Sequence, residues 1–294
     1  MKILIFGKTG QVGKELIREV ERHNFSYLAL GRKDVNLSDD SHIKSVINDY
    51  SPDVIINAAA YTQVDEAENN NNEADRINSE FPKILAKICS SNDIKLIHYS
   101  TDYIFNGKSM KPIKEYDNPI PINYYGITKL EGENNILNNH KNYFIFRTSW
   151  VYSIYSNNFL RKIIARAKET DTLSIVNDQF GTPTSASFIS YITILFLKYH
   201  PTEYGIYNLV PNGNTNWHFF ANYIINALKN NKLGYNRVKE IKPILSTEFK
   251  TLAERPRYSV LDNTKISKLF DNNILPWELY VDRTIEELIT SELI

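Results

Sequence analysis

The sequence predicts an α/β fold built on a doubly wound parallel sheet, followed by a smaller C-terminal unit. Three observations carry that prediction. Short apolar runs alternate with longer amphipathic stretches through the first half of the chain. A glycine-rich turn, Gly7-Lys8-Thr9-Gly10-Gln11-Val12-Gly13, follows the first apolar run directly. The 294 residues suffice for one large domain or for two that share an interface.

Taken in order, the apolar runs at 2–6, 27–30, 54–56, 95–99 and 143–146 read as buried strands bounded by turn residues. The segments 12–23, 41–49, 73–91 and 125–138 between them have helical length and spacing. Strand–helix alternation of this kind favours a parallel sheet covered by helices on both faces. The asparagine run at 69–72 reads as a solvated loop or a helix start. Beyond residue 150 the pattern is less regular. Helices are expected at 158–168, 186–199, 217–229 and 277–289, and strands at 173–176 and 206–210. Pro243, Pro256 and Pro276 fall in connections. This gives a first domain at 1–204, with an excursion into the smaller unit near 150–172, and a second domain at 205–294.

Lysine and arginine number 34 and aspartate and glutamate 34, so the formal charge is zero. Nucleic-acid-binding domains carry a basic excess, and membrane-surface anchors a polybasic cluster; this chain has neither. The single cysteine, Cys89, excludes an internal disulfide and a multi-cysteine zinc site, and the six histidines lack metal-ligand spacing. No metal is expected. The apolar segment before Gly7 is too short for a signal-peptide core. The stretch 188–197 is broken by Ser190 and Thr193, against the roughly 20 residues that span a bilayer. The expectation is a cytoplasmic protein.

At the glycine turn, backbone N–H groups of Gly10, Gln11, Val12 and Gly13 at a helix N-terminus suit a pyrophosphate. Gly7 and Gly10 supply the tight turn and close approach, and Gly13 the helix–strand packing. The spacing is GxxGxxG, which is neither GxGxxG nor a P-loop, and by itself it also fits an ordinary β–α turn. The second strand ends Leu30-Gly31-Arg32-Lys33, with no acidic residue to accept a ribose 2′-hydroxyl. Arg32 suits a 2′-phosphate, so NADPH is favoured, with NADH admitted. The other reading of Arg32 and Lys33 is as surface charges.

Tyr125 and Lys129 lie one helical turn apart on one face. A free phenol ionises near pH 10, and an adjacent ammonium lowers that value, which makes a tyrosine a competent general acid. Ser100 or Thr101, past the fourth strand, can hold a substrate carbonyl against Tyr125. His98 in that strand reads as structural, Cys89 as a small buried hydrophobe, and Trp217 and Trp277 as packing residues.

With these residues, the chain resembles the extended short-chain dehydrogenase/reductase superfamily, which acts largely on nucleotide sugars and has a Rossmann-type fold. Within it, the chain closely resembles the reductases that complete dTDP-L-rhamnose synthesis. The segments that carry the likeness are 7–13, 52–68 (PDVIINAAAYTQVDEAE), 98–105, 125–133 (YGITKLEGE), 146–152 (FRTSWVY), 177–184, 254–261 and 274–279.

The resemblance implies reduction of the C4 keto group of a dTDP-linked 4-keto-6-deoxy sugar by NADPH or NADH. Residues 1–204 then bind the dinucleotide and residues 205–294 the sugar nucleotide. Thr101, Tyr125 and Lys129 form the catalytic set, with Tyr125 the proton donor and Lys129 on the nicotinamide ribose. Ala58, Ala59, Ala60 and Tyr61 pass beside the cofactor. Asp102 and Trp150 contact the sugar, and Arg255 the diphosphate. Asn78 matches a helix position typical of the superfamily. Some members form dimers bridged by magnesium on acidic side chains; Ser187 stands where one such acid is expected, so the metal is not carried over, and a homodimer is admitted.

A 4,6-dehydratase needs Thr-Asp-Glu where this chain has Thr101-Asp102-Tyr103, so its base is missing. The alternatives left open are a reductase or epimerase of a related 4-keto-6-deoxy sugar, or a non-catalytic NADP-binding regulatory subunit.

Overall fold

The computed structural model describes residues 1–200, 202–231, 237–271 and 273–293. Its elements run β1 (Lys2–Phe6), α1 (Gln11–Arg22), β2 (Ser26–Leu30), α2 (Asp40–Tyr50), β3 (Val54–Asn57), α3 (Val64–Ala67), α4 (Asn71–Asp75), α5 (Phe81–Asn92), β4 (Lys95–Thr101), α6 (Tyr124–Asn139) and β5 (Tyr143–Thr148). After these come β6 (Val151–Tyr152), α7 (Phe159–Glu169), β7 (Thr172–Val176), β8 (Phe180–Gly181), β9 (Thr184–Ser185), α8 (Ala186–Tyr199), β10 (Gly205–Asn208), β11 (Thr215–Asn216), α9 (Trp217–Asn230), β12 (Glu240–Ile244), α10 (Thr264–Leu269) and α11 (Trp277–Thr290).

The main sheet has the order β10-β5-β4-β3-β1-β2, all parallel. The chain leaves β1 for β2 on one side and returns for β3 on the other, which opens a crevice at the carboxyl ends of β1 and β3, where ligands bind in such sheets. Side-chain alternation builds both faces. Ile3, Ile5, Val54, Ile56, Ile97, Phe144 and Phe146 face α1 and α8. Leu4, Phe6, Ile55, Leu96 and Ile145 face α2 and α5. Both faces are covered, which is why these strands read as unbroken apolar runs.

A third cluster joins Tyr152, Leu160, Ile163 and Leu173 to Phe220, Ile224, Trp277, Val281 and Ile285. It packs α7, α9 and α11 together, beside the two-stranded pairing of β7 with β12. The strand expected at 206–210 is β10, the edge strand of the main sheet, so the chain re-enters that sheet after residue 204.

The single helix expected at 73–91 is three segments, with a π-helical turn at Arg76–Glu80 between α4 and α5. Pro82 has no N–H to give the Asn78 carbonyl four residues earlier, and the hydrogen-bond register widens there. Among the described residues, no helix is long and apolar enough to cross a membrane.

Candidate active site

The glycine turn closes over the end of β1. Gly7 has φ +93°, and a Cβ there would lie 2.6 Å from the Ala58 backbone, so only glycine lets the turn approach the end of β3. A Cβ on Gly13 would strike the Gly7 carbonyl; its role is to seat α1 on the turn rather than on the strand. Gly10 is the N-cap of α1 and gives no side-chain cap, and a Cβ there would meet only Gly7 O, at 3.4 Å. The first N–H groups of α1 thus face an approach that no side chain blocks, which is what an anionic group requires.

Gln11 ties this turn to the second half of the chain. Its Oε1 accepts from Ser153 Oγ and Asn158 Nδ2, both at 2.9 Å. Val12 packs into the α1/α8 core. Ala58, Ala59 and Ala60 are half-buried at the end of β3. Tyr61 is buried, its N–H donating to Asn78 Oδ1 at 2.9 Å and its hydroxyl to Glu66 at 3.4 Å. Asn78 also donates to Tyr61 O and Thr128 Oγ1 and so pins the loop after β3 to α6.

At the end of β2, Arg32 is exposed and the cation that reaches the strand end is Lys8. Lys8 Nζ lies 2.7 Å from Asp34 Oδ2, which also accepts from Gly31 N at 2.7 Å. The strand end therefore does present a carboxylate, contrary to the sequence expectation, which followed the chain only to residue 33. The Lys8 ammonium and the Gly31 N–H hold the Asp34 carboxyl below the usual range.

Tyr125 enters on the first turn of α6. Asn123 caps that helix, accepting from Gly126 N at 2.8 Å and donating to Glu254 O at 2.8 Å. Gly126 abuts the Tyr103 carbonyl and Gly132 the Asn78 carbonyl, so α6 lies against the loop that follows β4. That contact sets the Tyr125 phenol beside Thr101, whose hydroxyl acts on its ionisation. Thr101 Oγ1 donates to Asp102 Oδ1 at 3.2 Å and accepts from Tyr103 N at 3.2 Å. The Tyr103 ring meets Tyr125 edge-on at 5.8 Å.

The electrostatics differ from the sequence expectation at one point. Lys129 Nζ donates to Tyr99 O at 2.6 Å and lies 3.3 Å from His98 Nε2, so its contacts go to β4 and not to the Tyr125 phenol. Burial raises the Tyr125 phenol above its ordinary value, with Thr101 opposing. Tyr125 is consequently a protonated acid at neutral pH. Burial also lowers Lys129 to about 8, with Glu133 opposing. It pushes Asp102 up to about 7, with the Ser259 and Thr101 hydroxyls opposing.

Arg255 reaches the same region from the far end of the chain. Its Nη2 lies 2.6 Å from Asp65 Oδ2, and its guanidinium neighbours the Tyr103 hydroxyl. Its buried Nε has no partner among the described residues. Trp150 sits past β5 with φ +46°, stacked on Trp217 at 3.5 Å and 9°. A Cβ on Gly181 would lie 2.5 Å from the Trp150 ring, so glycine there makes room for the indole.

Sequence reasoning missed the carboxylates of the VDEAE segment. Asp65 holds Arg255 and Ala253 N, and Glu68 accepts from Tyr124 N at 2.8 Å. Their signal was the specificity of the segment itself, but the partners lie at long range. Among the described residues, no group of three or more His, Cys, Asp and Glu is placed to hold a metal ion.

The family model described as the RmlD substrate binding domain matches residues 1–290. The dTDP-4-dehydrorhamnose reductase of Salmonella typhimurium is 37% identical over the full length of both chains. The chain belongs to the dTDP-4-dehydrorhamnose reductase family. A solved dTDP-4-dehydrorhamnose reductase from Clostridium acetobutylicum superposes with TM-score 0.91 at 33% identity, covering 98% of this chain and 99% of that one. The family's Bacillus anthracis reductase, solved in complex with NADP, gives TM-score 0.89 at 32% identity, covering 97% and 99%. The doubly wound sheet is thus the fold of this family.

Proposed function

We propose that this chain reduces the C4 keto group of dTDP-4-dehydro-6-deoxy-L-mannose to give dTDP-L-rhamnose, using NADPH and also accepting NADH. The observation that carries the reading is the convergence of Thr101 and Tyr125, with Lys129 a helical turn away, at the sheet edge that also bears the uncapped start of α1.

The residues present fit a nicotinamide dinucleotide. Gly10 leaves the α1 N–H groups open, and Ser100 Oγ and Thr148 Oγ1, at the ends of β4 and β5, are buried without partners among the described residues. Gly7, Gly10, Gln11, Val12 and Gly13 would hold the pyrophosphate, Ala58–Ala60 and Tyr61 would flank the dinucleotide, and Lys129 would hold the nicotinamide ribose. Lys8 and Arg32 suit a 2′-phosphate, and Asp34 a 2′-hydroxyl. When bound, the cofactor supplies the hydride.

Thr101 and Tyr125 hold the C4 oxygen by hydrogen bonds that strengthen as charge develops there. Tyr125, kept as the neutral phenol, donates its proton to that oxygen. Asp102 and Trp150 contact the sugar. Arg255 pairs with the diphosphate through the donors that Asp65 leaves free. The cluster of α7, α9 and α11 supports reading 205–294, with the 150–172 excursion, as the substrate domain, while residues 205–208 serve the cofactor-binding sheet. Nucleotide ligands of this kind support a cytoplasmic location, and a homodimer agrees with the reading.

The test supplies dTDP-4-dehydro-6-deoxy-L-mannose with NADPH or NADH and follows nicotinamide absorbance, with the product identified by NMR. Oxidation of cofactor with a rhamnose product is expected. A talose product, or no oxidation with either cofactor, overturns the assignment.

A further inference from the structure

His98 is buried in β4 with both ring nitrogens engaged. Nδ1 lies 3.1 Å from Asn57 Nδ2, and Nε2 lies 3.3 Å from Lys129 Nζ. The Asn57 amide is oriented by its other end, where Oδ1 accepts from Ala59 N at 3.1 Å. Nδ2 is therefore the donor toward His98, and Nδ1 must accept. A neutral imidazole that accepts at Nδ1 carries its proton at Nε2.

That Nε2–H points at Lys129 Nζ. An ammonium has three donors and no lone pair, so it would meet the imidazole donor to donor. A neutral amine satisfies the contact: it accepts from His98 and still donates to Tyr99 O at 2.6 Å. Protonating His98 instead would set a second N–H against Asn57 Nδ2. Burial also opposes that protonation.

The other groups that act on Lys129 leave this arrangement intact. Glu133, one turn on along α6, favours the ammonium, but its carboxylate is bound by Arg147 at 2.7 Å. Tyr125, one turn back, is uncharged at neutral pH because burial raises it. Tyr99 contributes only its carbonyl.

We propose that His98, fixed as the Nε2–H tautomer by Asn57, is a positioning residue that favours the neutral amine of Lys129 over its ammonium in the cofactor-free protein. The interest of this arrangement rests on the role given to Lys129 above. It would leave the lysine able to accept as well as donate a hydrogen bond at the ribose.

The test uses the full chain without cofactor or substrate, so an inactive enzyme would not affect it. Lysine labelled with 13C at Cε is titrated by NMR, with the Lys129 signal assigned by its loss in Lys129→Met. The wild-type midpoint is expected at about 8. In His98→Gln, whose side-chain oxygen can accept from an ammonium, the midpoint should rise by about one pH unit or more, a tenfold change in the neutral fraction. His98→Phe keeps the ring packing without the N–H and should move it upward by less. Equal midpoints in the wild type and the folded variants, or a wild-type midpoint at the ordinary lysine value, would overturn the proposal. A second reading needs no substitution: 15N shifts of the native His98 ring should show a proton on Nε2 and none on Nδ1, and a proton on Nδ1 refutes the argument.

Discussion

Replacing Glu133 by alanine leaves the Arg147 guanidinium buried without a counter-ion beneath the active site. Arg147 is 3% and Glu133 1% exposed, and the pair is forked: Nη2–Oε2 2.7 Å, Nε–Oε1 3.0 Å and Nε–Oε2 3.3 Å. Two contacts survive the change, a donation from Arg147 Nη1 to Glu115 O at 2.9 Å and the Phe105 ring at 5.4 Å. Neither carries negative charge. Breaking a buried pair by removing one partner costs about 3–5 kcal/mol, because the remaining charge has lost both water and its partner. Against a total stability of about 5–15 kcal/mol, that is a large share.

The assay is urea unfolding at neutral pH, with the slope unchanged and the midpoint lowered. Removing both charges together, as Glu133→Leu with Arg147→Met, should recover most of the loss, since a buried pair contributes little over an apolar one of similar volume. A single-variant cost below about 1 kcal/mol, the scale of a surface pair, would refute the claim that the pair is shielded from water. So would a double variant no better than the single.

The remaining predictions concern the cofactor end and the site's titration. Asp34→Asn frees Lys8 and removes the carboxylate at the end of β2, so the ratio of kcat/KM for NADPH over NADH should rise about tenfold, or about 1.4 kcal/mol of discrimination. Steady-state kinetics with both cofactors check this, and an unchanged ratio removes Asp34 from cofactor choice. Asp102, raised by burial from 3.8 to about 7, binds its proton more tightly folded than unfolded. Its contribution therefore favours the fold at low pH and is lost as pH rises between those two values. The stability difference between Asp102→Asn and the wild type should accordingly grow from pH 4 to pH 7, measured by urea midpoints; a constant difference would mean that the carboxyl is solvated.

Much of the sheet was legible because each of its first five strands is covered on both faces and leaves an apolar run with sharp ends. What the sequence hid was marginal or long-range. β12, with Pro243 inside it and exposed or half-exposed residues throughout, has neither the alternation nor the apolarity of a buried strand, and only its pairing with β7 makes it one. The π turn at 76–80 adds one residue to a helix, too little to disturb the periodicity.

In the site, Tyr125, Lys129 and Thr101 were visible as residue types at fixed offsets. Their supports were not. Asp65 acts on Arg255 across 190 residues, and Asn123 on the Glu254 carbonyl across 131. His98 read as structural because its partners, Asn57 and Lys129, come from other elements and meet only in the fold. The lysine's contacts were hidden for a related reason: helical spacing puts it on one face with Tyr125 but does not say that Nζ turns to the Tyr99 carbonyl.

The central claim is that Tyr125 is the proton donor for the C4 oxygen. The direct measurement is Tyr125→Phe with dTDP-4-dehydro-6-deoxy-L-mannose, recording NADPH affinity by fluorescence and turnover by absorbance on the same preparation. The account predicts unchanged NADPH binding and a kcat lower by at least ~10²-fold, the scale of general acid catalysis. Turnover equal to that of the wild type would contradict it.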